Sequence, residues 1–162
     1  MNTDEIRVSV LAKFPALRKL EPVHLERLLR GSALRHASDG AVLFIPRQPC
    51  EGFPLVLKGC VKVSKTSASG REIVLYRVDA GEACIMSGGC LLGTAVYSAT
   101  ATVEGDVALL AMPAALFQQL ILESAPFRSF VFDMYGQRLG EIMELVEEIA
   151  FRKLDARLAN LL

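Results

Sequence analysis

Four cysteines, Cys50, Cys60, Cys84 and Cys90, are the side chains of this sequence best suited to chemistry. Two of them fall in Gly81–Val103, GEACIMSGGCLLGTAVYSATATV, a stretch rich in glycine and small residues between strand-patterned segments. A glycine-bearing loop can bring Cys84 and Cys90 to the separation of about 4.4–6.8 Å between Cα atoms that a disulfide requires. They are therefore the candidate redox thiols. No Lys or Arg lies between Arg77 and Arg128, so no local cation stabilises a thiolate there or holds an anionic ligand. No pair has the Cys-x-x-Cys spacing of a zinc or thioredoxin-like site, and no metal site is expected. Inert buried thiols are the plain alternative.

Other polar chemistry is sparse. Two histidines and the visible carboxylates supply no nucleophile–base–acid set, and no Walker or Rossmann spacing occurs, so an enzyme is not expected. His24 lies beside Glu26 and Arg27 on a short helix and is expected to face solvent, while His36 falls in a strand. Backbone amides around Gly88 and Gly89 can form a nest for an anion. Leu91, Leu92, Val96 and Tyr97 suit an uncharged small molecule instead.

These groups sit in 162 residues, enough for one good core or a domain with an extension. The 18 basic and 18 acidic side chains cancel, leaving no electrostatic footprint for nucleic acid within this stretch. Hydrophobic residues make up 52%, yet no apolar run reaches the roughly 18 residues of a membrane span. The opening MNTDEIRVSV lacks a basic-then-apolar signal pattern, so a cytoplasmic protein is expected.

Elements that position the central stretch can be read on both sides of it. Asp4–Phe14 has a helical pattern ended by Pro15, and a second helix starts near Pro22 and closes at Gly31. From Ala33 the pattern turns to short strands: Ala41–Ile45, Phe53–Leu57 ended by Gly59, then Val61 and Val63 alternating with Lys62 and Ser64. The strand returning from the turn Ser67–Gly70 carries Ile73 and Leu75. Ser98–Val103 and Val107–Met112 flank a turn at Glu104-Gly105-Asp106. At least six short strands at this spacing predict an all-β barrel or jelly roll. Helices follow from Pro113 and from Ser124. In the second, Tyr135, Leu139, Ile142, Val146 and Ile149 step by four, three, four and three, a coiled-coil seam that predicts a homodimer. Gly136 and Gly140, one turn apart, can let another backbone come close.

This order of helices, β-roll, glycine-bearing loop and seam-bearing helix resembles the sensor half of Crp/Fnr-type transcription regulators, with their cyclic-nucleotide-binding-like fold. Local matches are Val42-Leu43, Lys58-Gly59-Cys60-Val61-Lys62-Val63, Ser69-Gly70-Arg71-Glu72, Val78-Asp79-Ala80-Gly81-Glu82, Ser98-Ala99-Thr100-Ala101 and Arg157–Leu162. The resemblance implies an α+β fold: an antiparallel β-roll or jelly roll with short N-terminal helices and a long C-terminal dimerisation helix. It divides the chain into a sensor domain (1–123), a dimerisation helix (124–153) and the start of a winged helix-turn-helix (154–162). DNA would be bound through a domain beyond this sequence, and no membrane is implied.

In relatives that bind cyclic AMP or cyclic GMP, the cassette runs from a Gly-Glu pair to an arginine before Ser/Thr-Ala. The glutamate takes the ribose hydroxyl and the arginine pairs with the cyclic phosphate. Here Tyr97 stands before Ser98, and Ile85, Met86 and Ser87 replace the second Gly-Glu pair. Glu82 belongs to the turn entering the cassette. Gly81, Glu82, Cys84, Gly88, Gly89, Tyr97 and Ser98 are thus the candidate residues of a degenerate ligand site. A non-cyclic-nucleotide signal is expected there, either a small molecule or a redox change. The alternative is a cyclic-nucleotide-binding module of a signalling protein. No cofactor is assigned: an iron–sulfur cluster of the Fnr kind needs cysteines earlier than Cys50, and haem would have to use His24, His36 or a cysteine.

Overall fold

The computed structural model describes residues 3–94 and 96–159. Met1–Phe130 form one compact unit and Val131–Leu162 a second. In the first, α1 (Thr3–Lys13), a 3-10 turn (Pro15–Lys19) and α2 (Pro22–Gly31) precede the strands. Pro15 and Pro22 stand at the first positions of their elements, where a missing N–H costs nothing. His24 is 9% exposed rather than facing solvent, with Nδ1 3.7 Å from a Glu21 carboxylate oxygen, because the apolar face of α2 turns inward around it.

Five strands form one antiparallel sheet: β1 (Ala33–Ala37), β2 (Val42–Phe44), β3 (Gly52–Thr66), β4 (Glu72–Asp79) and β5 (Thr100–Pro113). β3 and β5 pair from Gly52↔Pro113 to Ser64↔Thr100. β1 takes the second half of β5 and β2 the first half, while β4 takes the second half of β3. The fold is the α+β antiparallel roll expected, with fewer and longer strands.

Two glycines read as strand ends prove to be bends. Gly59 lies inside β3 and Gly105 inside β5, both at positive φ (82° and 74°). The β3–β5 register shifts between Val56 and Cys60. Such a bulge exchanges the two faces of a strand. Before it, Phe53 packs towards α4 (Ala114–Glu123), its ring 4.8 Å from Phe117; after it, Val61 and Val63 join the roll interior with Val56. Each long strand thereby serves two layers. Phe53, Phe117 and Phe127, all fully buried, anchor the layer beneath the helices, each burial contributing about 1.5–3 kcal/mol.

Within the expected loop Gly81–Val103, α3 (Ile85–Gly89) runs into a π-helical turn (Cys90–Thr94). α4 (Ala114–Glu123) and α5 (Ala125–Ala159) end the described chain. Buried Ser124 caps α5, its Oγ accepting from Phe127 N–H at 3.3 Å. The winged-helix match at Arg157–Leu162 reaches past the described residues; backbone helix continues as far as Ala159. Among the described residues no helix is long and apolar enough to cross a membrane.

Candidate functional site

The interior of the roll holds a cluster of buried residues that includes Phe44, Val56, Val78, Cys84, Cys90, Tyr97 and Leu109. Beside it lies a cavity of about 250 Å³. Its wall is mainly apolar, formed among others by Phe44, Val56, Tyr97 and Leu109. Arg35, His36 and Glu51 also line it, and all three are exposed. A cavity of this size and chemistry suits a small, uncharged molecule.

Tyr97 dominates the cassette. Its ring lies flat on Phe44, centroids 3.7 Å apart and planes 4° from parallel. Its hydroxyl hydrogen-bonds the Ser87 hydroxyl at 3.1 Å, so the side chain ties β2 to α3. It is 7% exposed, and burial pushes its phenol well above the ordinary value of 10.0. The backbone is fixed as firmly: Arg47 N–H donates to the Tyr97 carbonyl at 2.8 Å, and Tyr97 N–H donates to the Gln48 carbonyl at 3.0 Å. Arg47 adopts φ 70° at this crossing, a left-handed conformation uncommon for a non-glycine residue.

The other cassette groups are already engaged. Glu82 is exposed, and its carboxylate accepts from Asp79 N–H at 2.8 Å, closing the turn at Gly81. Gly81, at φ 95°, donates its N–H to the Val56 carbonyl at 2.9 Å. Met86 N–H donates to the Tyr76 hydroxyl at 3.2 Å, and Gly88 N–H to the Cys84 carbonyl at 3.1 Å. Cys90 N–H bonds the Met86 and Ser87 carbonyls. The amide of Gly88, expected to be open to an anion, is therefore spent inside α3, while Gly89 is exposed. Ser98 is exposed as well, its hydroxyl 3.4 Å from the Met86 sulfur.

The thiols divide in a way their spacing does not announce. Cys84 turns to the Tyr76 hydroxyl at 3.8 Å, whereas Cys90 donates to the Val96 carbonyl at 2.9 Å. Cys50, from the segment before β3, lies against both Cys90 and Tyr97. Its thiol is pushed up from 9.0 to about 12, by burial first and then by Cys90, with Tyr97 opposing. Cys60 stands apart, beside Glu104 at 3.8 Å, and burial and Asp79 raise it to about 12. No group of three or more His, Cys, Asp or Glu able to hold a metal occurs among the described residues. Phe44 and Ser87 lie at the site without having been among the candidate residues, and Cys50, named as a cysteine, was not expected beside Cys90; only the tertiary pairing brings them to Tyr97.

The second unit carries the residues of the expected seam. Leu139, Ile142, Val146 and Ile149 are exposed, Leu139 by 62%, and Tyr135 is half-buried.

Comparison with known proteins places this geometry. The family model for the cyclic nucleotide-binding domain matches residues 34–124, more than half of the chain. Among solved structures, a protein described as a Crp/Fnr-family transcriptional regulator from Eubacterium rectale is 25% identical, with a TM-score of 0.75 over 85% of this chain and 64% of its own. The Thermus thermophilus catabolite activator protein is also 25% identical, with a TM-score of 0.68 over 85% of this chain and 63% of its own. The sensor domain of the regulator DNR from Pseudomonas aeruginosa, at 21% identity, shares the fold, with a TM-score of 0.72 over 89% of this chain and 95% of its own. The chain thus spans less than two thirds of the first two relatives. No curated protein matches the sequence significantly. The chain belongs to the cyclic nucleotide-binding domain family, in the form found in the sensor half of Crp/Fnr-type regulators.

Proposed function

We propose that this chain is the sensor and dimerisation region of a Crp/Fnr-type transcription regulator that answers to a signal other than a cyclic nucleotide. The observation that carries this is Tyr97. Where a cyclic-nucleotide site of the family puts an arginine, this chain puts a buried aromatic ring stacked on Phe44. A cyclic phosphate brought there would lose its water and meet a phenol in place of a guanidinium, and burying an unpaired charge is prohibitively costly.

Sensor (1–123), dimerisation helix (124–153) and the onset of a DNA-reading domain (154–162) are the parts of this reading. Two copies would pair through Leu139, Ile142, Val146 and Ile149, whose exposure on a helix calls for a partner. Gly136 and Gly140 have nothing within 4 Å of an added Cβ, which leaves room for a second helix to approach. A change at the Gly81–Val103 segment then shifts α5 against its mate and resets the spacing of two distal DNA-binding domains, as helix shifts at subunit interfaces do elsewhere.

Native mass measurement with cyclic AMP present tests the whole reading. The expected species is twice the 17.6 kDa chain without a nucleotide adduct. A nucleotide-bearing species would instead favour a cyclic-nucleotide module, and a monomer at micromolar concentration would remove the dimerisation helix.

A further inference from the structure

Cys50 and Cys90 approach the short segment Val96–Tyr97 from two sides. The segment ending at Cys50 runs antiparallel to Val96–Tyr97 through the Arg47 and Gln48 backbone bonds and a bridge between Pro49 and Val96. From the other side, the Cys90 thiol donates to the Val96 carbonyl at 2.9 Å. Cys50 packs against the buried cluster that holds Cys90 and Tyr97, and its thiol interacts with both side chains. Cys84 belongs to that cluster too, but its sulfur is directed to Tyr76. Cys50 is half-buried and reachable, while Cys90 is 4% exposed.

We propose that Cys50 and Cys90 are a thiol-oxidation site, converted to a disulfide by a small neutral hydroperoxide. The Cys50 sulfur attacks the distal oxygen of the hydroperoxide; an S–O bond forms, the O–O bond breaks, and the alcohol or water leaves with a proton. Cys50, now a sulfenic acid, has given up two electrons. The Cys90 sulfur then attacks the Cys50 sulfur; the S–S bond forms, the S–O bond breaks, and hydroxide leaves with the Cys90 proton as water. Two thiols and one hydroperoxide yield one disulfide, one alcohol (or water) and one water.

The cavity wall beside Tyr97 is mainly apolar, and the exposed Arg35 and Glu51 on it are of opposite charge, which suits a small neutral oxidant. Burial that holds Cys50 at about 12 keeps its thiolate scarce, so oxidation is slow near neutrality and accelerates about tenfold per pH unit. Oxidation also takes the proton that Cys90 gives to Val96, and it staples the segment before β3 to the π turn. The signalling use of this bond rests on the proposed sensor function, whereas its formation does not.

The test uses the full 162-residue chain, reduced and purified without oxygen, then treated with hydrogen peroxide. Expected are the loss of two hydrogen atoms and a cross-linked peptide joining Cys50 to Cys90. Cys84→Ser should leave that product unchanged, and Cys50→Ser should abolish it. Cys50→Ala, with circular dichroism checked for native fold, guards against misfolding of the serine variant. A bond between Cys84 and Cys90, or thiols that stay reduced as the pH rises, would overturn the proposal. Sedimentation of the same reduced sample tests the dimeric sensor separately, so either idea can fail alone.

Discussion

Phe44 and Tyr97 lie face to face across the roll, 3.7 Å between ring centroids, and that contact decides what the cassette can hold. Phe44 comes from β2, which pairs with β5, and Tyr97 from the exit of the cassette, so the stack joins the sheet to the segment that would carry a signal. Tyr97→Ala should cost about 3–5 kcal/mol, the range for emptying a buried aromatic site. Tyr97→Phe keeps the stack and removes the hydroxyl with its contacts to Ser87 and Cys50, so about 1–2 kcal/mol is expected. Urea denaturation of the two variants checks this. Equal losses would mean that the hydroxyl, not the ring, holds the segment.

Gly59 separates conformational strain from collision. Gly59 and Gly70 share φ +82°, but a Cβ at Gly70 meets nothing within 4 Å. At Gly59 the Cβ would run into the Asp106 carbonyl oxygen and come to 2.8 Å from Val107 Cγ2. Gly70→Ala should therefore cost only the left-handed penalty of about 1–2 kcal/mol, and Gly59→Ala clearly more. Thermal melting of both variants gives the comparison, and similar melting temperatures would refute the close approach of β3 and β5 at the bend.

Stability should fall in alkali. The unfolded chain releases cysteine protons near 9.0, while the folded chain holds those of Cys50 and Cys60 to about 12. Between these values the folded state binds more protons, so stability is complete below the lower value and declines as pH rises towards the upper one. The buried phenol of Tyr97 acts in the same direction from its ordinary 10.0 upward. The urea midpoint should drop between about pH 9 and about pH 12, and less in a Cys50→Ser/Cys60→Ser variant. A midpoint that holds steady over this interval would contradict the burial of these groups.

Leu139→Glu and Ile142→Glu place charge in the exposed seam of α5. Each should shift sedimentation towards monomer by at least tenfold in dissociation constant, about 1.4 kcal/mol, with the thermal transition of the sensor unit kept. A wild-type dimer that survives both changes would move the interface elsewhere.

Much of this was legible where one residue type has one local consequence. Pro15, Pro22 and Gly31 marked the N-terminal helices. Gly59 and Gly105 misled because a glycine between two strands and a glycine bending one strand leave the same pattern; only the continuous pairing of β3 with β5 distinguishes them. The Phe44–Tyr97 stack and the Cys50–Cys90 approach were invisible for a related reason. Both depend on the short segment before β3 pairing with Val96–Tyr97, a long-range match without periodicity. The departure at Tyr97 was readable from the sequence, but its burial and its bond to Ser87 were not.

Isothermal titration of the wild-type chain with cyclic AMP, repeated with cyclic GMP, tests the central claim most directly. With Tyr97 occupying the cassette, no saturable heat is expected up to about millimolar nucleotide, which corresponds to binding weaker than about −4.1 kcal/mol. Stoichiometric binding at micromolar concentration would show that the tyrosine gives way to a phosphate, and the account of a non-nucleotide signal would be wrong.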